Sequence, residues 1–140
     1  MRAFAVLFTL ALWVLPAAPA LALDDSERAA VQAIVRSQAD ALSHDDAAGA
    51  YGYAAPAIQR MFPSPEMFLE MVRRGYAPVY RNRSFDLGEL RDSGGIAAIA
   101  ARIVDLEGVV WDALYTLEKQ EDGGWKITSC VLLKAEGQSV

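Results

Sequence analysis

The stretch GVVWDALYTLEKQ (108–120), EDGG (121–124) and WKITSCVLLK (125–134) decides the fold. Two runs rich in β-branched and aromatic residues flank an Asp122-Gly123 pair, the strongest short-range signature of a β-hairpin. Read as a two-residue loop, Asp122-Gly123 sets Glu121 opposite Gly124, and every later pair follows in step. Trp111, Ala113, Tyr115 and Leu117 then share a face with Thr128, Cys130 and Leu132. Asp112, Leu114 and Thr116 share the other with Ser129, Val131 and Leu133. A one-residue bulge would mix these sets.

The segments before the hairpin read as elements that pack against it. Ile96 to Val104 fits a helix by its Ile96, Ile99 and Ile103 spacing, and a strand by its flanking turns. The tight Glu107-Gly108 link to the hairpin selects strand. Asp92 to Gly95 is a turn, and Ser84 to Arg91 is a strand before it. Tyr76 to Arg81 alternates and reads as extended, with Pro78 confining it to an edge or a crossing loop.

Upstream, three helices are expected. The first starts at Asp24 or Asp25, where Asp24 and Glu27 have capping-box spacing, and buries Val31, Ile34, Val35, Gln38 and Leu42. It ends near Ser43-His44. Gln38 is the one polar residue in that stripe; it either reaches a backbone partner or looks into a cavity. The second runs from about Asp46 to Ala54, stopped by Pro56. After a turn over Ile58 to Phe62, Ser64-Pro65-Glu66 opens the third, with a Ser cap, Pro at the first position and an acid in the first turn. Met67, Phe68, Met71 and Val72 form its apolar face, and Gly75 ends it.

The first residues read as a leader. Arg2 is followed by an uncharged apolar run from Ala3 to Leu15, then by Pro16, Pro19 and the small-x-small pattern Ala20-Leu21-Ala22. This is the pattern of a signal peptide over 1–22, cut after Ala22, with one domain over 23–140. The apolar run is shorter than the ~20 residues that a spanning helix needs. Periplasmic or secreted localisation follows, with no membrane span after processing. The whole chain carries 13 basic and 18 acidic residues, a formal net charge of −5. An acidic chain is a poor partner for nucleic acid. The arginines between Arg60 and Arg91 read as a solvated face balanced by Glu66, Glu70, Asp86 and Glu89.

Few residues carry obvious chemistry. Cys130 is the single cysteine, which excludes an internal disulfide, and its strand setting reads as a small buried hydrophobe. His44 is the single histidine. With Asp45 and Asp46 it resembles a dyad, but its place between two helices fits capping better. No Cys/His cluster has metal-ligand spacing, so neither metal nor cofactor is expected.

The order, three helices and then four antiparallel strands, makes an α+β fold: helices across a curved sheet, cone-like, in a cystatin-like layout. At this point the chain resembles the SnoaL-like, nuclear-transport-factor-2-like superfamily, and within it an exported bacterial family of unknown function. The resemblance rests on Phe68, Met71, Val72, Gly75, Tyr76, Pro78, Val79 and Tyr80, then Trp111, Ala113 and Tyr115. Asp122, Gly123, Trp125, Ile127 and Cys130 complete it. It implies a cone with one long helix across its mouth and a homodimer formed through the sheet. The superfamily hosts enzymes and non-enzymes on one fold, so activity does not follow from it.

Two readings of function come from different classes. In the first, the protein is a non-catalytic binding module whose cone takes a small apolar molecule or a protein partner; Tyr51, Met71, Tyr76, Tyr80, Trp111 and Tyr115 are the candidate ligand contacts. In the second, it is a cofactor-free isomerase or hydrolase. Asp112, expected among Val110, Leu114, Val131 and Leu133, is the candidate general acid or base, since apolar surroundings favour its neutral form. A strand-end Asp112 paired with Arg81 or Arg102 is the structural alternative. The first reading is the better supported, because His is scarce and no clear acid–base pair exists.

Overall fold

The computed structural model describes residues 22–136. The expected leader lies outside the described residues except for Ala22. Five helices precede four strands: α1 Asp25–Ser43, α2 Ala47–Gly52, α3 Pro56–Met61, α4 Pro65–Gly75, α5 Ala77–Tyr80, β1 Ser84–Ser93, β2 Ile96–Val104, β3 Val110–Lys119 and β4 Trp125–Lys134. The strands form one antiparallel meander in the order β1-β2-β3-β4.

The helix starts follow the sequence signals. Asp24 accepts from Glu27 N at α1, Asp46 from Gly49 N at α2 and Ser64 from Met67 N at α4. Each satisfies one orphan N–H of a first turn. Asp45, between α1 and α2, has φ 56°, a left-handed conformation that Asp tolerates better than most residues. Val31, Val35, Gln38, Ala41 and Leu42 are the buried stripe of α1. On α4 only Phe68 and Val72 are fully buried. Met67, expected beside them, is exposed, because the face that meets the core is centred on Phe68 and Val72.

Two helices were not expected. Pro56 stops α2 and also opens α3, where its missing N–H costs nothing at the first position. Tyr76 to Arg81 is not extended: Pro78 sits in the first turn of α5, and Tyr80 N and Arg81 N donate to Tyr76 O and Ala77 O. Its two buried residues, Pro78 and Val79, are consecutive and not alternate, at the end of the helical layer.

Bulges on both edge strands bend the sheet. In β1, Leu87 pairs with Ala101 and Leu90 with Ile99, so Gly88 and Glu89 oppose one residue. In β4, Thr116 pairs with Ser129 but Leu117 pairs with Ile127, leaving Thr128 extra. Each bulge adds local twist and curvature. The hairpin loop itself has three residues, not two. Gln120 N donates to Gly124 O and Gly123 N to Gln120 O, with Gly123 at φ 86°, a positive φ that suits Gly. The longer loop shifts the register by one and the Thr128 bulge shifts it back. The predicted pairs from Thr116–Ser129 to Trp111–Lys134 are therefore the observed ones. Between the two shifts the prediction fails: a two-residue loop would set Ile127 opposite Glu118, whereas it pairs with Leu117 and is buried inside.

The core lies between the helices and the inner face of the sheet. Ile99, Ile103, Tyr115 and Leu117 are its largest fully buried sheet residues. The loop from β2 to β3 is tied by Asp105, a buried carboxylate. It accepts from Glu107 N at 2.9 Å, Val109 N at 2.8 Å and Trp111 Nε1 at 2.9 Å. The Trp111 N–H holds the Asp105 carboxyl below the usual carboxylate range; burial opposes this, and the two backbone donors reinforce it.

Replacing Asp105 by Asn puts an amide N–H where the Trp111 donor needs an acceptor. Asp105→Asn is expected to lower the melting temperature by several degrees at pH 7. A group whose carboxyl is held low in the fold stabilises above its unfolded value, so the gap between wild type and variant is full above about pH 4. It closes as pH falls below that. Thermal unfolding from pH 2 to 7 checks both statements.

Candidate functional site

A cavity of about 390 Å³ lies under the helices, against the bent end of the hairpin. Gln38 and Leu42 of α1 contribute to its wall, with Ile58, Met61 and Phe62 from α3 and its end. Phe68, Met71 and Val72 of α4 continue it, followed by Tyr76 and Val79. The sheet supplies Tyr115, Ile127, Thr128, Ser129 and Cys130. No Asp, Glu, His, Lys or Arg is among these residues. The volume is within the range of small-molecule sites, at the small end.

The β4 bulge shapes one wall. Thr128 Oγ1 donates to Thr116 O at 3.0 Å, and the extra residue turns the strand so that 127–130 all border the cavity. The helical layer is clipped to the sheet at the same place: Ile127 N donates to Tyr53 O at 2.9 Å, and Ala55 N to Ile127 O at 2.8 Å.

Few polar groups reach this space. Gln38 does both things its position allowed: its Nε2 donates to Ala50 O at 3.2 Å, and the residue borders the cavity. Tyr115 and Cys130 face each other across β3 and β4. Burial pushes the Tyr115 hydroxyl well above its ordinary value, and the neighbouring Cys130 adds to that. Burial also pushes the Cys130 thiol up to about 11, with the Tyr115 hydrogen bond pulling the other way. Both groups are neutral at pH 7.

Of the six candidate ligand contacts, Met71, Tyr76 and Tyr115 border the cavity. The other three are occupied elsewhere. The Tyr51 hydroxyl donates to Phe62 O at 2.7 Å and Gln59 O at 3.1 Å, so it braces α3 from behind. The Tyr80 hydroxyl donates to Asp45, which Arg81 also binds at 3.0 Å while its guanidinium stacks 3.9 Å from the Tyr80 ring. The Tyr80 hydrogen bond holds the Asp45 carboxyl below its usual range and raises the phenol in turn. Arg81 Nη1 reaches Leu42 O at 3.0 Å, so this cluster clamps the end of α1 to α5. Trp111 is committed to Asp105.

Asp112 is not in the cavity. It lies on the outer face of the sheet, half exposed, in a forked pair with Arg102: Nε to Oδ1 at 3.1 Å and Nη2 to Oδ2 at 3.3 Å. Its apolar neighbours Leu114, Val131 and Leu133 are themselves exposed, so they do not desolvate it. A proton-transfer role for Asp112 in the cone has no geometric basis. His44 is likewise exposed, as the C-cap of α1. Among the described residues no group of His, Cys, Asp and Glu is placed to hold a metal ion.

Sequence reasoning missed the walls made by Ile58, Phe62, Val79 and Ile127. Phe68 and Val72 were readable as core, and they are core that ends at a cavity. Pro56 as a helix opener would have placed Ile58 and Phe62 on one helical turn.

This combination of a helical layer packed on a bent antiparallel meander is the NTF2-like fold. The chain is similar to the crystal structure of an NTF2-like protein of unknown function from Shewanella baltica OS155. The TM-score is 0.56 at 12% sequence identity, covering 84% of this chain and 100% of that one. Residues 24–140 match the family described as Domain of unknown function (DUF4864), and the chain belongs to that family. No curated protein matches the sequence.

A thiol held near 11 is almost wholly protonated at pH 8, whereas a free cysteine is substantially ionised. Alkylation of Cys130 by iodoacetamide in the folded protein is expected to be at least ~10-fold slower than that of free cysteine, after allowing for the greater nucleophilicity of a more basic thiolate. The rate should recover in denaturant. Timed mass spectrometry at pH 8 checks it.

Proposed function

We propose that the protein is an exported, non-catalytic binding module whose cone takes a small, uncharged, largely apolar molecule. The observation that carries this reading is the cavity wall: aromatic and aliphatic side chains, a few neutral polar groups and no formal charge. A charged ligand would leave an unpaired charge in an apolar chamber, at a cost of several kcal/mol. A neutral ligand with one polar atom loses little, because Gln38, Tyr76 and Tyr115 are polar residues of the wall. Export rests on the leader pattern of residues 1–22. Among the described residues, no helix is long and apolar enough to cross a membrane.

A second copy of the chain is the proposed protein partner. The outer face of the sheet exposes Ile96, Leu114, Val131 and Leu133, the last 64% exposed. Such a patch is costly in water, and a two-fold axis would cover it with its own copy. A dimer would leave the cones, on the opposite face, free.

Native mass spectrometry of the exported protein, purified gently from the periplasm, is expected to show a bound small molecule. Met71→Trp, which fills the space from its wall, should abolish that extra mass while the chain stays folded. A wild type with no retained mass, or a mass that survives Met71→Trp, contradicts the reading. For the dimer, sedimentation at tens of micromolar should give twice the chain mass, falling to one chain in the double variant Val131→Lys/Leu133→Lys. A wild type that sediments as one chain contradicts it.

A further inference from the structure

The start of the folded chain is held by a partner suited to a charge that the precursor lacks. Leu23 N donates to Asp92 Oδ2 at 2.9 Å. The other oxygen of the same carboxylate takes Arg28 Nη1 at 3.2 Å, and Arg28 Nη2 donates to Leu90 O at 3.0 Å. The Asp92 side chain is only 15% exposed. The Leu23 side chain packs against the core, whereas Ala22 is exposed. The bond that the leader pattern marks for cleavage is the one between them.

Before cleavage, Leu23 N is a neutral amide. Hydrolysis adds water across the Ala22–Leu23 bond: the leader leaves with a carboxylate on Ala22, and the amine of Leu23 takes up a proton. An α-amino group has an ordinary pKa of about 7.7–8.0, so at pH 7 this nitrogen is mainly an ammonium. We propose that Asp92 is the receptor for that new α-ammonium. Leader removal turns a hydrogen bond from a neutral amide to this carboxylate into an ion pair, and fastens the entry to α1 onto the β1–β2 hairpin. The bond to the carboxylate is charge-assisted in both states; cleavage adds the attraction between two opposite charges, and this carboxylate is mostly shielded from solvent.

Two neighbouring effects compete. The positive end of the α1 dipole disfavours a cation at this place. Asp24 and Asp25 offset it, but the Asp24 carboxylate is already engaged by Glu27 N and Ser26 Oγ. Glu27 is engaged by Lys119. Asp92 therefore remains the acidic partner in hydrogen-bond contact with Leu23 N.

The inference rests on the export reading for the position of the cut, and the test separates the two. The mature chain is released from a fusion with Leu23 as its first residue, alongside a form with Gly-Ser preceding Leu23. Both are made with Asp92 and with Asp92→Asn, and all are melted at pH 7 and low salt. The extension is expected to lower the melting temperature by about 3 °C when Asp92 is present and to leave it unchanged in Asp92→Asn. Equal melting of the two Asp92 forms, or an equal drop in the Asp92→Asn pair, overturns the ion pair and leaves export untouched. If Asp92→Asn does not fold, Nα-acetylation of Leu23 in the wild type must produce the same drop, and its absence overturns the proposal. A mass for the exported protein that begins anywhere but Leu23 overturns it through its premise instead.

Discussion

The extra residue in β4 is the constraint on which the rest of the structure depends. A flat hairpin from 110 to 134 would alternate strictly and present one wall to the helices. With Thr128 inserted, the strand bends at mid-length, and two consecutive changes follow. Ile127 turns inward to join the core. Ile127 stays opposite Leu117, and its backbone on the free edge of β4 bonds to Tyr53 and Ala55. One local irregularity thus sets the curvature of the sheet and the point where the helical layer is attached. The cavity occupies the space that the bend opens, with α3 and α4 roofing it.

The walls are held by groups that do not enter the space. Tyr51 binds the carbonyls of Gln59 and Phe62, fixing α3. The Tyr80–Asp45–Arg81 cluster ties α5 to the end of α1. Asp105 gathers three N–H donors at the β2–β3 loop. In each case a polar side chain is spent on backbone or on a neighbour at the periphery, and the interior is left to aliphatic and aromatic contacts. This division leaves the chamber wall without a charged side chain.

Much of this was legible in the sequence, and the failures have physical causes. The meander, the caps of α1 and α4 and the long pairing of β3 with β4 follow from alternation, turn residues and Ser or Asp placement. The pairing was correct for a partly wrong reason: a three-residue loop and a bulge each move the register by one, in opposite senses. No local signal separates that pair of shifts from none. Ile127 shows the cost, since it lies between them. Alternation of Tyr76, Pro78 and Tyr80 with smaller residues mimicked a strand over a segment too short to show a helical period. The buried pair Pro78 and Val79 is consecutive, as a strand with one buried face would not have it. Asp112 was misplaced by neighbours that are apolar but exposed: composition around a residue indicates desolvation only when those neighbours are buried themselves. Tyr51, Tyr80 and Trp111 lie outside the cavity because the polar tip of each ring has a partner elsewhere: the carbonyls of Gln59 and Phe62, Asp45 and Asp105.

The central claim is that the space under α3 and α4 is a dry apolar chamber able to take a guest. Apolar cavities of this kind stay dry and accept xenon. Diffraction from crystals pressurised with xenon tests it most directly. The account predicts xenon density among Phe68, Met71, Val72 and Tyr115, with no ordered water in its place in the unpressurised crystal. A chamber filled by ordered water, or xenon found only outside it, would contradict the account.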